Sequence, residues 1–280
     1  MRAVAEGASL AGTVRVLALL LAGYLVVGQP VVGSWSARRQ QRSADPDARR
    51  RRYRRTTVLE WCLAAAVVLL VLAAPGLDFG DLGLRWPRAS AYTVVGALGF
   101  LASLGLLVEL RRKVDRGAGV LAPAEVGALL PRTATERRAF SGLAVTAGTC
   151  EELLYRGFLL AVAVAVLPGL GAWRLVLVSA LAFAVAHTYQ GVAGMFTAGV
   201  LGGGFAVLLL GTGSLLLPVL YHVLIDLRLL VLAVRRPRHR RAGTAPGPAP
   251  YHRRPDRAAG SRPGRPQPPG ARADSPRGPS

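Results

Sequence analysis

Several features common in small secreted or metal-binding proteins are scarce or missing in this chain of 280 residues. Only two cysteines are present, Cys62 and Cys150, and both lie in apolar segments. They therefore provide no disulfide framework and match no metal-ligand spacing. No internal repeat is visible, which argues against a transporter built from two duplicated halves. Acidic residues number 15 against 35 basic ones, so each acidic group within an apolar segment is informative.

Long hydrophobic runs dominate the composition. Hydrophobic residues make up 52% of the chain, and apolar stretches of about 18 or more residues recur, as expected for membrane-spanning helices. The number and length of these runs exclude a soluble protein with a few buried helices. The sequence predicts an all-α, polytopic transmembrane bundle of about seven spans, with the first run retained rather than removed as a signal peptide. The predicted spans are residues 10–32, 58–77, 91–108, 140–167, 173–189, 192–210 and 214–234.

Basic residues are concentrated in three segments. Residues 38–55 contain nine arginines against two aspartates, residues 235–280 contain twelve against two, and residues 111–138 contain seven basic against three acidic residues. Basic loops stay cytoplasmic, so a seven-span chain with its N-terminus outside places all three segments on the cytoplasmic side of the cell membrane. We expect these arginines to contact anionic lipid head groups, and we expect no nucleic-acid partner.

Three domains follow from the distribution of apolar and charged residues. Residues 1–132 form N-terminal spans with basic loops, and residues 133–234 carry the polar residues that stand out within apolar segments. Residues 235–280 are rich in Pro, Gly, Ala and Arg. Such a segment cannot bury enough apolar surface to offset the entropy of ordering, so we expect a disordered tail.

A capping box precedes the fourth span. Thr133 followed three residues later by Glu136 is typical of a helix N-terminus. A helix from there to Val166 would be about 50 Å long, more than one span requires. We therefore expect its first part to lie at the interface, with a bend at Gly142 or Gly148.

Two adjacent glutamates occur within that span. Glu152 and Arg156 are four residues apart with the acid first, the favourable order for an ion pair on one helix face. Glu151 points about 100° away from Glu152 and has no cation on its own helix. Burial would favour its neutral form and make it a candidate general base. The alternative is that both glutamates reach the interface or link helices together.

Two further apolar segments each carry a histidine. His187 follows Phe183 by four residues and Asp226 follows His222 by four, so each pair shares a helix face. A lone membrane histidine is as often a helix–helix hydrogen-bonding group as a site residue. The helical rise of ~1.5 Å per residue, however, places these polar residues and Glu151 in one layer, roughly 9 to 18 Å below the cytoplasmic surface.

These motifs resemble those of a known protease family. Glu-Glu-x-x-x-Arg at 151–156, Phe-x-x-x-His at 183–187 and His-x-x-x-Asp at 222–226 occur in the order and spacing of the CAAX protease and bacteriocin-processing family, also called ABI. This family includes the type II prenyl-protein endopeptidases. The resemblance covers about residues 133–230 and implies an intramembrane, multi-pass endopeptidase that acts on a membrane-associated protein or peptide.

The resemblance also implies roles for the site residues. Glu151 would deprotonate a water and His187 would position it, while the Glu152–Arg156 ion pair would hold that face of the helix rigid. His222 and Asp226 would polarise the scissile carbonyl and hold the oxyanion. A carboxylate cannot stabilise an oxyanion, so Asp226 would be protonated or would only orient His222.

Two mechanisms and two other functions stay open at this point. Glu151 or Glu152 with His187 and His222 could instead bind zinc, as in a metalloprotease, although their spacing is not that of a His-Glu-x-x-His helix. We favour a site without a cofactor. The other functions are a non-proteolytic scaffold or bacteriocin self-immunity protein, and a proton-coupled transporter that uses the same residues as a relay.

Overall fold

The computed structural model describes residues 12–74, 77–116, 127 and 130–232. These residues contain seven long helical segments and no strand, which confirms the predicted all-α fold. The predicted tail, 235–280, and the outermost residues of the first and last predicted spans lie outside the described residues. The helices are α1, Gly12–Arg42; α2, Ala48–Ala73; α3, Ala91–Asp115; α4, residues 134–166; α5, Ala172–Ala186; α6, Gly191–Thr212; and α7, Leu216–Leu232.

Each predicted span corresponds to one of these helices. By length and composition, α1, α2, α3 and the segment Thr188–Thr212, which joins a short 3₁₀ turn to α6, could each cross a membrane. α5 is apolar but has only 15 residues, and α4 and α7 carry the charged site residues. Large apolar side chains on α3 point outward, as expected for lipid contact: Val94, Val95, Leu98, Leu101 and Leu106.

The start of α4 is fixed by the predicted capping box. The Thr133 hydroxyl accepts from the Glu136 amide at 3.1 Å, and the Glu136 carboxylate accepts from the Thr133 amide at 3.3 Å. Glu136 also pairs with Arg49 of α2 at 3.0 Å, so the two helices are linked near this end. The capping box predicted from the sequence is confirmed.

α4 departs from α-helical geometry at a place that the sequence did not predict. The backbone remains α-helical through Gly142 and Gly148 and changes to π-helix over Glu152–Leu159. Gly148 instead permits close contact with α7, because a Cβ there would lie 2.9 Å from the Val223 amide nitrogen. π-Helical turns are rare and often occur at functional sites. Here the turn begins at the second motif glutamate.

α4 occupies the centre of the bundle. It packs against α2 and α7, and its π-helical part also contacts α5 and α6. Every residue of this turn is buried, from Glu152 to Leu159. The Tyr155 hydroxyl donates to the Leu25 carbonyl at 3.2 Å, and Leu25 lies in a second π-helical turn within α1, Tyr24–Gly28. The polar residues of α4 are thus held in the interior of the bundle, between helices from both halves of the chain.

Candidate functional site

The six site residues predicted from the sequence are brought together by α4, the end of α5 and α7. Glu151, Glu152 and Arg156 come from α4, and His222 and Asp226 come from α7. His187 caps the C-terminus of α5, directly before the 3₁₀ turn. The layer of polar residues predicted from helical rise therefore corresponds to a single cluster.

Glu152 is the centre of the hydrogen-bond network. Its Oε1 accepts from Arg156 Nη1 at 2.9 Å, and neither side chain is exposed. The same oxygen lies 2.7 Å from Nδ1 of His222. A carboxylate paired with an arginine is an acceptor, so His222 donates through Nδ1–H. Glu152 thus joins α4 to α7, a contact that the sequence did not predict.

Arg156 is further stabilised by aromatic rings. Its guanidinium carbon lies 4.0 Å from the ring centre of Phe183 and 5.3 Å from that of Phe205. Both distances fall within the range of cation–π attraction. Gly202 permits this arrangement, because a Cβ there would lie 2.9 Å from that of Phe183 and 3.2 Å from Nη2 of Arg156. The buried cation is therefore held by one carboxylate and two ring faces.

Glu151 faces the other nitrogen of His222. Its Oε2 lies 3.8 Å from Nε2 of His222, and Asp226 Oδ2 lies 3.9 Å from the same nitrogen. Both distances are too long for a direct hydrogen bond. Glu151 Oε2 is buried without a hydrogen-bond partner among the described residues. The two adjacent glutamates therefore have different surroundings, as the angle between them predicted.

The two histidines are oriented in different ways. Nδ1 of His187 donates to the Phe183 carbonyl at 2.8 Å, so in the neutral ring Nε2 is the acceptor. The Phe183 ring lies between the imidazoles, 4.4 Å from that of His187 and 5.7 Å from that of His222. Phe205 stacks on the other side of His222 at 5.6 Å. His222 is thus oriented by a carboxylate and two rings.

The predicted cluster lines a pocket of about 120 Å³. Since a water occupies about 30 Å³ in the liquid, this volume accommodates a few waters. The lining side chains that bear on the chemistry are Glu151, His187, Tyr189, His222 and Asp226. Glu152 and Arg156 do not line it and lie behind it. This division separates side chains that could touch a substrate from those that support them.

The donor atoms do not fit a zinc ion as they are arranged. Nδ1 of His222 is engaged by Glu152 and Nδ1 of His187 by the Phe183 carbonyl, which leaves their Nε2 atoms and Glu151 Oε2 as the atoms that could reach a metal. Within the part of the chain that the structure describes, no three His, Cys, Asp or Glu side chains converge as metal ligands. A catalytic zinc site needs three such ligands and a water. We therefore derive no step that involves a metal.

One further carboxylate lies beside the site, and the sequence analysis did not predict it. Glu60 of α2 is only 2% exposed, and it accepts a hydrogen bond from Gln29 of α1 at 2.9 Å. Together with Glu151 and His187 it lines a neighbouring pocket of about 190 Å³. The signal was present, because Glu60 is the one acidic residue in the apolar run at 58–77. It belongs to no spaced motif, and so nothing in the sequence linked it to the cluster.

Comparison with known proteins supports the predicted resemblance. Residues 136–228 match the family model described as type II CAAX prenyl endopeptidase Rce1-like. The matched residues contain all six predicted site residues and end two positions after Asp226. No curated protein and no solved structure was found to match the chain. This segment is thus similar to a family of CAAX-type membrane endopeptidases, and Glu60 and Gln29 lie outside it.

Proposed function

We propose that the protein is an intramembrane endopeptidase that hydrolyses a peptide bond of a membrane-associated protein or peptide, with Glu151 as general base. The observation that carries this proposal is the buried, unpartnered Oε2 of Glu151, which lies 3.8 Å from Nε2 of His222 in the pocket that His187 and Asp226 also line. A general base must have a free acceptor oxygen within reach of a water. Glu151 has one and lines the pocket, whereas Glu152, whose Oε2 is also without a partner, does not line the pocket and holds Arg156 and His222 through Oε1.

The remaining side chains divide the other tasks. His187, with Nδ1–H donated to Phe183, presents an Nε2 lone pair that can accept from the attacking water. His222 donates Nδ1–H to Glu152, and in its protonated form it also carries a proton on Nε2 that faces the pocket, where it would polarise the scissile carbonyl and stabilise the oxyanion. Asp226, 3.9 Å from that nitrogen, supports the protonated imidazole instead of contacting the oxyanion.

The reaction that these roles describe is hydrolysis by a single water. Glu151 takes a proton from the water as its oxygen bonds to the carbonyl carbon. The tetrahedral intermediate collapses when the C–N bond breaks, and the proton on Glu151 passes to the leaving nitrogen. The products are a carboxylic acid, which ionises to the carboxylate, and an amine, which takes up the released proton, and no metal ion takes part.

Substrate cleavage by purified protein tests this proposal. Protein in detergent is incubated with a prenylated CAAX peptide and with a peptide library, beside the variant Glu151→Gln. This variant keeps the shape of the side chain and loses the proton acceptor, so we expect cleavage to fall by about 100-fold or more. Glu109→Gln on α3, whose carboxylate is 43% exposed, is the matched control and should cleave normally. Activity of Glu151→Gln above about one hundredth of wild type would remove Glu151 as the base.

We further propose that the site opens to the cytoplasmic side of the cell membrane. The arginine-rich segment at 38–55 connects α1 and α2, and Arg52 from it lines the same pocket as Glu151. Basic loops stay cytoplasmic. A single cysteine introduced into residues 43–47, in a variant without Cys62 and Cys150, should be labelled only after cells are opened. Labelling of intact cells by an impermeant reagent would contradict this orientation.

A further inference from the structure

Two polar side chains beside the site have no role in the proposed hydrolysis. Gln29 Nε2 donates to Glu60 Oε1 at 2.9 Å, which holds the two side chains together between α1 and α2. The other oxygen of each, Glu60 Oε2 and Gln29 Oε1, is buried without a hydrogen-bond partner among the described residues. Each of these two joined side chains thus has one buried oxygen that accepts no hydrogen bond from the described part of the chain.

Burial makes this arrangement costly in the absence of a ligand. Glu60 is 2% exposed, and within the described part of the chain no cation lies within ion-pair distance of it. A buried polar group without a partner costs roughly 1–3 kcal/mol, and a charged group costs more. Helix packing alone does not require an acid here, since neighbouring positions on α2 that face the core are apolar, as at Ala64 and Val67. The two acceptors are therefore suited to a donor supplied from outside the chain.

The pocket next to these acceptors leads directly to the site. Glu60 and Gln29 line the pocket of about 190 Å³ together with Glu151 and His187. Glu151 and His187 also line the smaller pocket that contains His222 and Asp226. His222 and Asp226 do not line the larger pocket, and Glu60 and Gln29 do not line the smaller one. Glu151 and His187 are thus common to two pockets with different polar walls.

The geometry of a peptide bond indicates which of the two pockets each polar group of the scissile bond would face. A trans peptide is planar, and its C=O and N–H point in opposite directions. In the proposed reaction the scissile carbonyl oxygen faces His222, and the attacking water lies beside Glu151 and His187. The scissile N–H then points away from His222, and we place it in the larger pocket, which His222 does not line. That is the pocket in which Glu60 and Gln29 present two acceptors without a donor.

We propose that Glu60 and Gln29 form a subsite for the leaving nitrogen of the scissile bond. Its ligand is a peptide N–H before cleavage and the new amine afterwards. This inference rests on the proposed endopeptidase function. Glu60 transfers no proton, because the proton released by the water passes through Glu151 to the leaving nitrogen. Glu60 Oε2 and Gln29 Oε1 only accept hydrogen bonds, which strengthen as the nitrogen gains a proton and positive charge.

A pair of substrates that differ in one N–H tests this subsite. One is a peptide that the wild-type protein cleaves, and the other is its ester analogue, in which oxygen replaces the scissile N–H. The variants are Glu60→Met, which removes the carboxylate at similar length, and Gln29→Met, which leaves Glu60 in place. Glu109→Met on α3 is the matched control for an acid replaced by methionine in a membrane helix, because its carboxylate is 43% exposed and lines neither pocket.

The expected result is a loss of cleavage rate on the peptide substrate and not on the ester. A hydrogen bond to a charged group typically corresponds to a factor of about 10 to 100, so Glu60→Met should lower kcat/KM for the peptide by about that factor. The ester rate should change little, because the ester has no N–H to donate. Gln29→Met should show a smaller loss of the same kind, and it carries the test if Glu60→Met does not fold. The control should leave both rates unchanged.

Other outcomes overturn the inference in distinguishable ways. Equal losses on peptide and ester would make Glu60 a structural residue. Unchanged rates on both substrates would remove it from the site. If the wild-type protein cleaves neither the ester nor any peptide, the endopeptidase proposal fails before the subsite is reached.

Discussion

The buried charged side chains of the segment that matches the protease family differ in their ion pairing from those of the helices that precede it. In the matched segment, Glu152 accepts from two donors, and Arg156 is held by this carboxylate and by two aromatic rings. In the earlier helices, Glu60 has one hydrogen bond, from Gln29, and no cation within ion-pair distance among the described residues. Arg52, which lines both pockets, likewise has no ion pair within the described part of the chain.

This difference indicates which region carries the chemistry and which region binds substrate. Opposite charges that pair with each other hold their geometry without a ligand, which suits groups that must be positioned before substrate arrives, although Glu152 Oε2 and Arg156 Nε and Nη2 have no hydrogen-bond partner among the described residues. A buried carboxylate without a cation, such as Glu60, gains more from binding a donor. The comparison therefore leads to the hypothesis that residues 136–228 carry the chemistry and that α1 and α2 complete the substrate-binding surface.

The largest expected effect comes from breaking the network at Arg156. The variant Arg156→Ala leaves Glu152 buried without its cation, a change that typically costs about 3–5 kcal/mol. We expect the free energy of unfolding and the cleavage rate to fall together, because Glu152 also orients His222. Thermal unfolding in detergent and peptide cleavage measure the two effects.

The double variant Glu152→Gln/Arg156→Ala separates stability from activity. Removing the orphaned charge should restore part of the lost stability, while cleavage stays low because an amide is a weaker acceptor for His222 than a carboxylate. If Arg156→Ala unfolds like wild type, the ion pair does not stabilise the bundle. If the double variant recovers full activity, the bond from Glu152 to His222 is not needed.

The sequence predicted the matched region better than the rest of the site. The spacing of Glu152 and Arg156 predicted their ion pair, and helical rise placed His187, His222 and Asp226 at the level of Glu151. Periodicity along one helix cannot show which side chains from different helices meet. The bond between Glu152 and His222 and the place of Glu60 beside Glu151 both depend on packing between helices. For the same reason the π-helical turn at Glu152 was not predicted, since it reflects tertiary packing and not local propensity.

A smaller effect is expected at the contact between α4 and α7. A Cβ at Gly148 would lie 2.5 Å from Val223 Cγ2 and 2.9 Å from its amide nitrogen, both closer than side chains tolerate. Gly148→Ala should therefore lower the free energy of unfolding by about 1–3 kcal/mol, the usual cost of overpacking. Cleavage should fall as well, because Val223 adjoins His222. Thermal unfolding and peptide cleavage would be measured on the same preparation.

Gly142 provides the matched control on the same helix. Nothing lies within 4 Å of the position that its Cβ would occupy. Gly142→Ala should raise stability by about 0.5–1 kcal/mol, because alanine favours a helix more than glycine does. Cleavage should be unchanged. A Gly148→Ala variant as stable and active as Gly142→Ala would show that the close approach of α4 and α7 does not position His222.

The smallest effect is expected from removing metal ions. If the matched segment carries the chemistry through Glu151, His187 and His222 alone, strong chelators should change the cleavage rate little. Purified protein should contain at most about one zinc per ten molecules, since a resident structural or catalytic ion would be present near stoichiometry. Added zinc could inhibit instead, because Glu151 Oε2 and His222 Nε2 lie only 3.8 Å apart and could both bind it. Stoichiometric zinc, with activity lost on chelation and recovered on adding zinc back, would overturn the metal-free mechanism. Glu151, His187 and His222 would then become ligand candidates. Glu152, through its bond to Nδ1 of His222, would then orient a metal ligand and not the group that stabilises the oxyanion.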